Sequence, residues 1–294
     1  MITRRPRQAF REGAAAFPWK LMQTKLPKDC NPQTASPLFS VIPPEIRNII
    51  FQLALRSYPD KSRPYPGNAY HFRPGYEYGQ RIDTALLLTC RLIYNETRLL
   101  PITSNEHVFW CDRGPPGSRT KPAIYFSRMA SEQQDVVDCV HFFAQQYWLE
   151  QTFPKICSTA GLRPRKLKIT IRHSDWWYWE NNQLLALKEE WTDKMSLLRR
   201  LEEFEIELET FERDKDQMLA IAQKIRNWKI KLWDGRKLST EGCPFVHDKW
   251  TGTSVFERNI GYDREGNVWV QWPRIAGPAA PLVYHTVTVK WTAV

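Results

Sequence analysis

The sequence of 294 residues predicts a mixed α/β fold with three parts: a helical head, a layer of parallel strands and helices, and an antiparallel β tail. Two apolar helical stripes occur before residue 110, strand and helix patterns alternate over 136–233, and period-two alternation fills the C-terminal part. We expect the regions 1–37 (a basic flexible extension), 38–112 (the head), 113–243 (the α/β layer) and 244–294 (the β tail, packed on the same body).

Composition excludes several classes of protein. Hydrophobic residues make up 42% and charged residues 25%, which is typical of a globular chain. No apolar run reaches the ~18 residues of a membrane span, so no membrane partner is expected. Six scattered cysteines without a C-x-x-C pair suit a reducing compartment. The sequence therefore predicts a cytoplasmic or nuclear protein, with mitochondrial targeting by the Arg-rich N-terminus as the alternative.

The net charge of +10 would suit a nucleic-acid-binding protein, but its distribution does not. Residues 1–29 hold seven basic and two acidic residues, which is half of the excess. The remaining body is close to neutral, and this argues against nucleic acid as the partner.

The first helix of the head follows two prolines. Pro44 fits the first turn of a helix, where its missing N–H leaves no bond unmade. Phe51 and Leu55 lie off the main apolar stripe and give the helix a second apolar side, and Pro59 ends it. The stripe itself has helical spacing and consists of Ile46, Ile49, Ile50 and Leu53.

The rest of the head contains one more helix. Residues 57–82 are rich in Pro, Gly and Tyr and predict a long loop. A buried helix is expected over 84–100, ended by Pro101, followed by strands at 107–110 and 123–126.

The α/β layer is predicted to be open on one face. Strands are expected at 136–144, 166–172, 203–209 and 229–233, with helices at 150–160, at 183–200 and between the last two strands. Apolar and charged residues alternate in these strands, so one face packs on helices and the other meets water, as in a half-open, leucine-rich-repeat-like layer. The predicted exposed set is Lys168, Glu205, Glu207 and Lys231; the predicted buried set is Leu167, Ile169, Phe204, Ile206 and Leu208.

No motif for catalysis, cofactors or metals is present, and we expect a protein that is not an enzyme. Cys139 and His141 share a strand face, which we interpret as structural rather than as a nucleophile and its base. The run of Glu residues in 202–212 is interpreted as a solvated charge ladder. Four aromatic residues after the second strand of the layer either bind a partner or ligand or pack within their loop: Trp176, Trp177, Tyr178 and Trp179.

Two segments of the head carry a resemblance. VIPPEIRNIIFQLAL (41–55) and ALLLTCRLIYNETRLLPITSNEHVFW (85–110) resemble the fungal F-box-like families of uncharacterised proteins. Those families open with a Leu-Pro-Pro-Glu-Ile-Arg helix, followed by a Thr-Cys-Arg-x-Ile-Tyr-x-Glu helix and an Asn-x-Phe strand. The resemblance covers about residues 36–110. It implies kinship to F-box adaptors, whose N-terminal helices dock on the linker subunit of an SCF-type ubiquitin ligase while another domain takes the substrate protein.

The sequence thus favours a non-catalytic protein-interaction protein, an F-box-like substrate adaptor in ubiquitination. The alternatives are a binding or scaffold protein without a ubiquitin connection and, third, a nucleic-acid-binding protein. An adaptor needs an exposed apolar stripe on the first head helix, whereas the alternatives need it buried. The head residues expected to contact the partner are Pro43, Pro44, Ile46, Ile50 and Phe51.

Overall fold

The structure, a computed structural model, describes residues 30–181, 183–253, 259–262, 268–271 and 281–294. The expected basic extension lies almost entirely outside these residues. Among the described helices, none has the length and apolar character that crossing a membrane requires.

The described residues form a mixed α+β fold. Its strands are β1 (Tyr58–Pro64), β2 (Tyr78–Arg81), β3 (His107–Trp110), β4 (Cys139–Phe143), β5 (Lys166–Ile171), β6 (Glu203–Phe211), β7 (Ile230–Lys231), β8 (Lys237–Ser239), β9 (Val246–Thr253), β10 (Asn259–Tyr262), β11 (Val268–Gln271) and β12 (Pro281–Ala293). Its α-helices are α1 (Pro37–Ser40), α2 (Pro44–Ala54), α3 (Arg91–Thr97), α4 (Leu100–Thr103), α5 (Pro122–Ser127), α6 (Ser131–Asp135), α7 (Gln146–Gln151), α8 (Phe153–Cys157) and α9 (Lys215–Ile225). Short 3-10 helices occupy Ala85–Leu88, His173–Asp175, Trp179–Asn181, Glu190–Leu197 and Glu212–Asp214.

One eight-stranded sheet organises these elements. Strands β3, β4, β5 and β6 are parallel neighbours in chain order, as the alternation of strands and helices predicts. The strand β3 belongs to the head region in sequence, yet it forms an edge of this same sheet.

The other half of the sheet is antiparallel and differs from the prediction. Strand β12 pairs with β6 on one side and with β8 and β9 on the other, whereas β7 is a two-residue strand beyond β8. The expected parallel neighbour of β6, at 229–233, is therefore wrong. Strand β12 takes the position because it places Val287, Val289 and Trp291, all fully buried, opposite the apolar residues of β6.

The apolar face of the sheet forms the core, as predicted. All five residues expected to be buried are fully buried: Leu167, Ile169, Phe204, Ile206 and Leu208. Helix α9 covers part of this face with Met218, Ala222 and Ile225, and the ring of Trp291 stacks on that of Phe204 at 5.0 Å.

The opposite face is only partly open, which corrects the expectation of a solvated face. The segment 57–82 is not a plain loop: β1 and β2 form an antiparallel hairpin, and its connection, residues 65–77, folds over the sheet. The ring of Tyr76 packs edge-on against Trp110 and Phe143, with centroids 5.6 and 4.9 Å apart. We call residues 65–77 the strap. Three of the four residues predicted to be exposed are half-buried under or beside the strap, namely Lys168, Glu205 and Glu207. The fourth, Lys231, is exposed as predicted, but it lies on β7.

Three further predictions of secondary structure are corrected. The helix expected over 84–100 is divided, because Cys90 is extended (φ −154°, ψ 164°) ahead of α3. The strand expected at 123–126 is α5, which begins at Pro122 and packs its aromatic residues against Phe109. Of the helix expected over 183–200, only a 3-10 helix at Glu190–Leu197 forms. Strands β9, β10, β11 and β12 lie in the region predicted as the β tail, and β10 and β11 pair antiparallel, as the hairpin pattern predicts.

These placements predict unequal stability effects for a core residue of β6 and for an exposed residue just before the strand. Replacing the fully buried Leu208 with alanine should lower the free energy of unfolding by about 2–5 kcal/mol, through lost burial and a cavity. Glu202→Ala removes an exposed pair with Arg165 and should cost under about 1 kcal/mol. Urea unfolding of both variants measures the difference. Equal losses would contradict the assignment of the core face.

Candidate protein-interaction surface

Helix α2 is fastened to the rest of the head by the arginine of its own motif. The guanidinium of Arg47 is buried, donates to the carbonyl oxygen of Ile42 at 3.0 Å, and lies 3.4 Å from a carboxylate oxygen of Glu96. It also stacks over the ring of Phe39 at 4.9 Å. The Arg of the first motif and the Glu of the second are therefore ion-pair partners, so the two motifs form one structural unit.

The third motif residue, Asn105, holds the C-terminal end of α2. Its side-chain amide donates to the carbonyl oxygens of Leu55 and Pro101, both at 2.9 Å, and its side-chain oxygen accepts from the backbone N–H of Ser57 at 2.6 Å. These bonds satisfy backbone groups that a helix end leaves free. Helix α2 is thus fixed near its start and at its end.

The two apolar sides of α2 have different environments. The buried side consists of Arg47, Phe51 and Leu55, spaced four residues apart. At about 100° per residue, the four residues of the other stripe lie on the opposite side of the helix. All of them are exposed: Ile46 (48%), Ile49 (53%), Ile50 (40%) and Leu53 (66%). We call these four residues the head stripe.

Four of the five head residues expected to contact a partner are exposed, namely Pro43, Pro44, Ile46 and Ile50. Phe51 is corrected: it is 1% exposed and belongs to the core, because it lies between Arg47 and Leu55 on the packed side. Ile49 and Leu53 were not among the residues expected to contact a partner. Their helical spacing with Ile46 and Ile50 would have placed them on the same side of the helix.

The aromatic loop after β5 is divided between core and surface. Trp176 is buried and its indole N–H donates to the carbonyl oxygen of Glu209 at 2.8 Å. Trp179 is also buried, edge-on to His173 at 5.5 Å. Trp177 and Tyr178 are exposed. Packing in the core therefore accounts for Trp176 and Trp179, and Trp177 and Tyr178 remain candidates for binding.

Cys139 and His141 lie in a polar network between the sheet and the strap. The two ring nitrogens of His141 lie 3.3 Å from a carboxylate oxygen of Glu106 and 2.9 Å from the hydroxyl of Thr170. The thiol of Cys139 is 3.5 Å from the other oxygen of Glu106. Burial and the Glu106 charge raise the pKa of the Cys139 thiol well above its ordinary value. This favours the neutral thiol and disfavours the thiolate that nucleophilic catalysis needs.

The network continues from Thr170 to the strap. Its hydroxyl donates to Glu207 at 3.1 Å, and Glu207 pairs with the guanidinium of Arg73 at 2.5 Å. Burial tends to raise the pKa of Glu207, but the charge of Arg73 and the bond from Thr170 hold it below its ordinary value. The same guanidinium is 3.6 Å from Glu209, whose pKa burial raises. The network therefore ties the strap to β4, β5 and β6.

The run of Glu residues in 202–212 is not the solvated ladder that was expected, because Glu203, Glu205 and Glu207 are half-buried and Glu209 is buried. Lys168 lies 3.5 Å from Glu106 and 3.6 Å from Glu205, so the strands are cross-paired by charge. In the part of the chain that the structure describes, no group of three or more His, Cys, Asp or Glu side chains is arranged to hold a metal ion.

No protein-family model, curated protein or solved structure matches this chain.

The network predicts a pH-dependent contribution from Glu106. Burial would raise its pKa, but the hydrogen bond and charge of His141, with the charge of Lys168, lower it from 4.5 to about 2. A carboxylate whose pKa is lower in the folded state than in the unfolded state stabilises the protein at pH values above its unfolded-state pKa. This stabilisation is lost as the pH falls through the folded-state pKa. Between about pH 5 and pH 2, wild type should lose about 2–3 kcal/mol more unfolding free energy than Glu106→Gln. Urea unfolding over this pH range tests it, and a difference independent of pH would contradict it.

Proposed function

We propose that this protein is a non-catalytic interaction protein of the cytoplasm or nucleus. In this proposal it acts as an F-box-like substrate adaptor of an SCF-type ubiquitin ligase, with the head stripe docked on the linker subunit. The observation that carries the proposal is the exposure of all four residues of the head stripe, on the side of α2 opposite its core contacts.

The spacing and chemistry of the head stripe suit insertion into an apolar groove. Apolar anchors at i, i+3, i+4 and i+7 are the pattern by which a helix is bound in such a groove. Complete burial of an Ile or Leu side chain contributes about 1.5–3 kcal/mol, and about half of that remains to be gained at each of these four partly exposed anchors. Contiguous apolar patches at a protein surface usually mark interaction sites.

The attachment of α2 favours binding further. Arg47 holds α2 near its start and Asn105 holds its C-terminal end, both through hydrogen bonds. A helix already held in its bound conformation loses little conformational entropy on association. Arg47 and Asn105 thus have a structural role, and the head stripe stays exposed for a partner.

The sheet body is the proposed substrate-binding part. We interpret its partly covered polar face and the exposed aromatic residues of the loop after β5 as a leucine-rich-repeat-like layer adapted to a protein partner. The exposure of the head stripe is what the adaptor hypothesis expects, and the identity of the bound partner separates it from a binding protein without a ubiquitin connection.

The proposal predicts that charge on the head stripe breaks the complex without unfolding the protein. Ile46→Asp and Ile50→Asp should each weaken binding to a purified fungal SCF linker subunit by at least about tenfold, because each buries a charge in an apolar groove. Co-purification and calorimetric titration measure binding, and circular dichroism measures helicity.

Matched controls lie on the same helix. Asn48→Asp introduces the same charge at an exposed position outside the stripe and should leave binding unchanged. Phe51→Asp places the charge in the core and should unfold the head. A wild-type chain that never binds the linker subunit, or stripe variants that bind normally, would refute the adaptor proposal.

A further inference from the structure

A second exposed surface is formed by aromatic side chains from two elements. Tyr147 of α7, together with Trp177 and Tyr178 of the loop after β5, are all exposed. The rings of Tyr147 and Trp177 have centroids 6.2 Å apart at 84°, and those of Trp177 and Tyr178 are 5.7 Å apart at 33°. The indole N–H of Trp177 donates to the carboxylate of Glu150 at 3.3 Å. We call these three rings and Glu150 the aromatic ledge.

The ledge is held in place by buried contacts. The side chain of Gln146 is buried; its oxygen accepts from the backbone N–H of Trp177 at 2.5 Å, and its amide donates to the carbonyl oxygen of Ala186. Tyr178 has a left-handed backbone with φ 55°, and its carbonyl oxygen accepts from Asn181 at 2.9 Å. An aromatic residue in this conformation is strained, and such strain is concentrated at functional sites.

The chemistry of the ledge suits a cation. The faces of Trp and Tyr rings attract cations, and a carboxylate at their edge supplies the opposite charge. A guanidinium group satisfies both, because it is planar, stacks on aromatic rings and forms paired hydrogen bonds with a carboxylate.

The chain itself shows this pairing nearby. Arg113 lies over the rings of Tyr70 and Trp179, at 4.7 and 5.6 Å, and Arg172 lies over Trp110 at 5.2 Å. In the part of the chain that the structure describes, no Arg or Lys lies over any ring of the ledge. Among the described residues, the exposed rings of Trp177 and Tyr178 thus lack the Arg side chain that covers Trp179 in the same loop.

We propose that the aromatic ledge binds an arginine side chain of a partner peptide, with the guanidinium stacked on Trp177 or Tyr178 and paired with Glu150. Where the adaptor function holds, this is a contact for the substrate protein, and in that respect the inference rests on the proposed function. The binding of arginine itself does not depend on the head stripe.

The test uses the full chain labelled with ¹⁵N-tryptophan. The indole N–H signal of Trp177, identified by its loss in Trp177→Phe, is followed during titration with the peptide acetyl-GRGRGRG-amide. A peptide with citrulline in place of arginine keeps the shape and removes the charge. Heptaproline and chitotetraose represent the other ligands that exposed aromatic rings bind.

We expect a saturable shift with the arginine peptide and binding at least about fivefold weaker with the citrulline peptide. Glu150→Gln should weaken arginine binding by about 3–10-fold, and Tyr178→Ala by more. Trp233→Ala, which removes an exposed tryptophan elsewhere, and Ile46→Asp, which acts on the head stripe, should leave the affinity unchanged.

Three results would overturn the inference: no binding of the arginine peptide, equal binding of the citrulline peptide, or preferential binding of heptaproline or chitotetraose. Because the head-stripe variants and the ledge variants are measured separately, a failure of arginine binding leaves the adaptor proposal standing, and the reverse also holds.

Discussion

The one-sided packing of α2 is the constraint on which the functional account depends. Arg47, Phe51 and Leu55 recur at every fourth residue, so a single narrow strip of the helix supplies all of its buried side chains. The ion pair with Glu96 and the bonds from Asn105 replace the wider apolar contact that a helix of this length would otherwise need. Because packing uses so little of the helix surface, its most apolar stripe stays in contact with water.

The two faces of the sheet also differ in how their side chains are packed. Its core face is mostly apolar, with the buried His107, Thr210 and His285 among the apolar side chains, whereas its other face carries charged residues that are half-buried or buried and paired. Arg73 enters from the strap between Glu207 and Glu209, and Lys168 bridges Glu106 and Glu205. Buried charges are tolerated when they are paired and hydrogen-bonded. These pairs set how the strap lies on the sheet, and the loss of one partner would leave a buried charge on the other.

Much of this fold follows from local patterns. Alternation in KLKITIR and EFEIELE predicted β5, β6 and their buried face, and Pro44 predicted the start of α2. What could not be predicted depends on contacts between distant segments. The placement of β12 beside β6 depends on its apolar face matching that of β6, and the strap depends on Arg73 reaching Glu207, 134 positions away in sequence.

The sequence pattern of the head also could not show which side of α2 forms the exposed surface. Both sides of α2 are apolar in sequence, and spacing alone cannot tell which side packs. The side that packs is the one with Arg47 and Phe51, and the guanidinium of Arg47 forms an ion pair with Glu96 there. Among the residues of the motifs that resemble F-box-like families, Arg47, Glu96 and Asn105 fasten the helix, whereas Ile46 belongs to the exposed head stripe.

The central claim, that the head stripe contacts a partner directly, is tested most directly by photo-crosslinking in a fungal cell. A benzophenone amino acid placed at Ile49, at the centre of the stripe, should give one covalent adduct containing the SCF linker subunit. The same group at Asn48, exposed but outside the stripe, should give none. Adducts of Ile49 only with this chain's own residues, or equal adducts from both positions, would contradict the account.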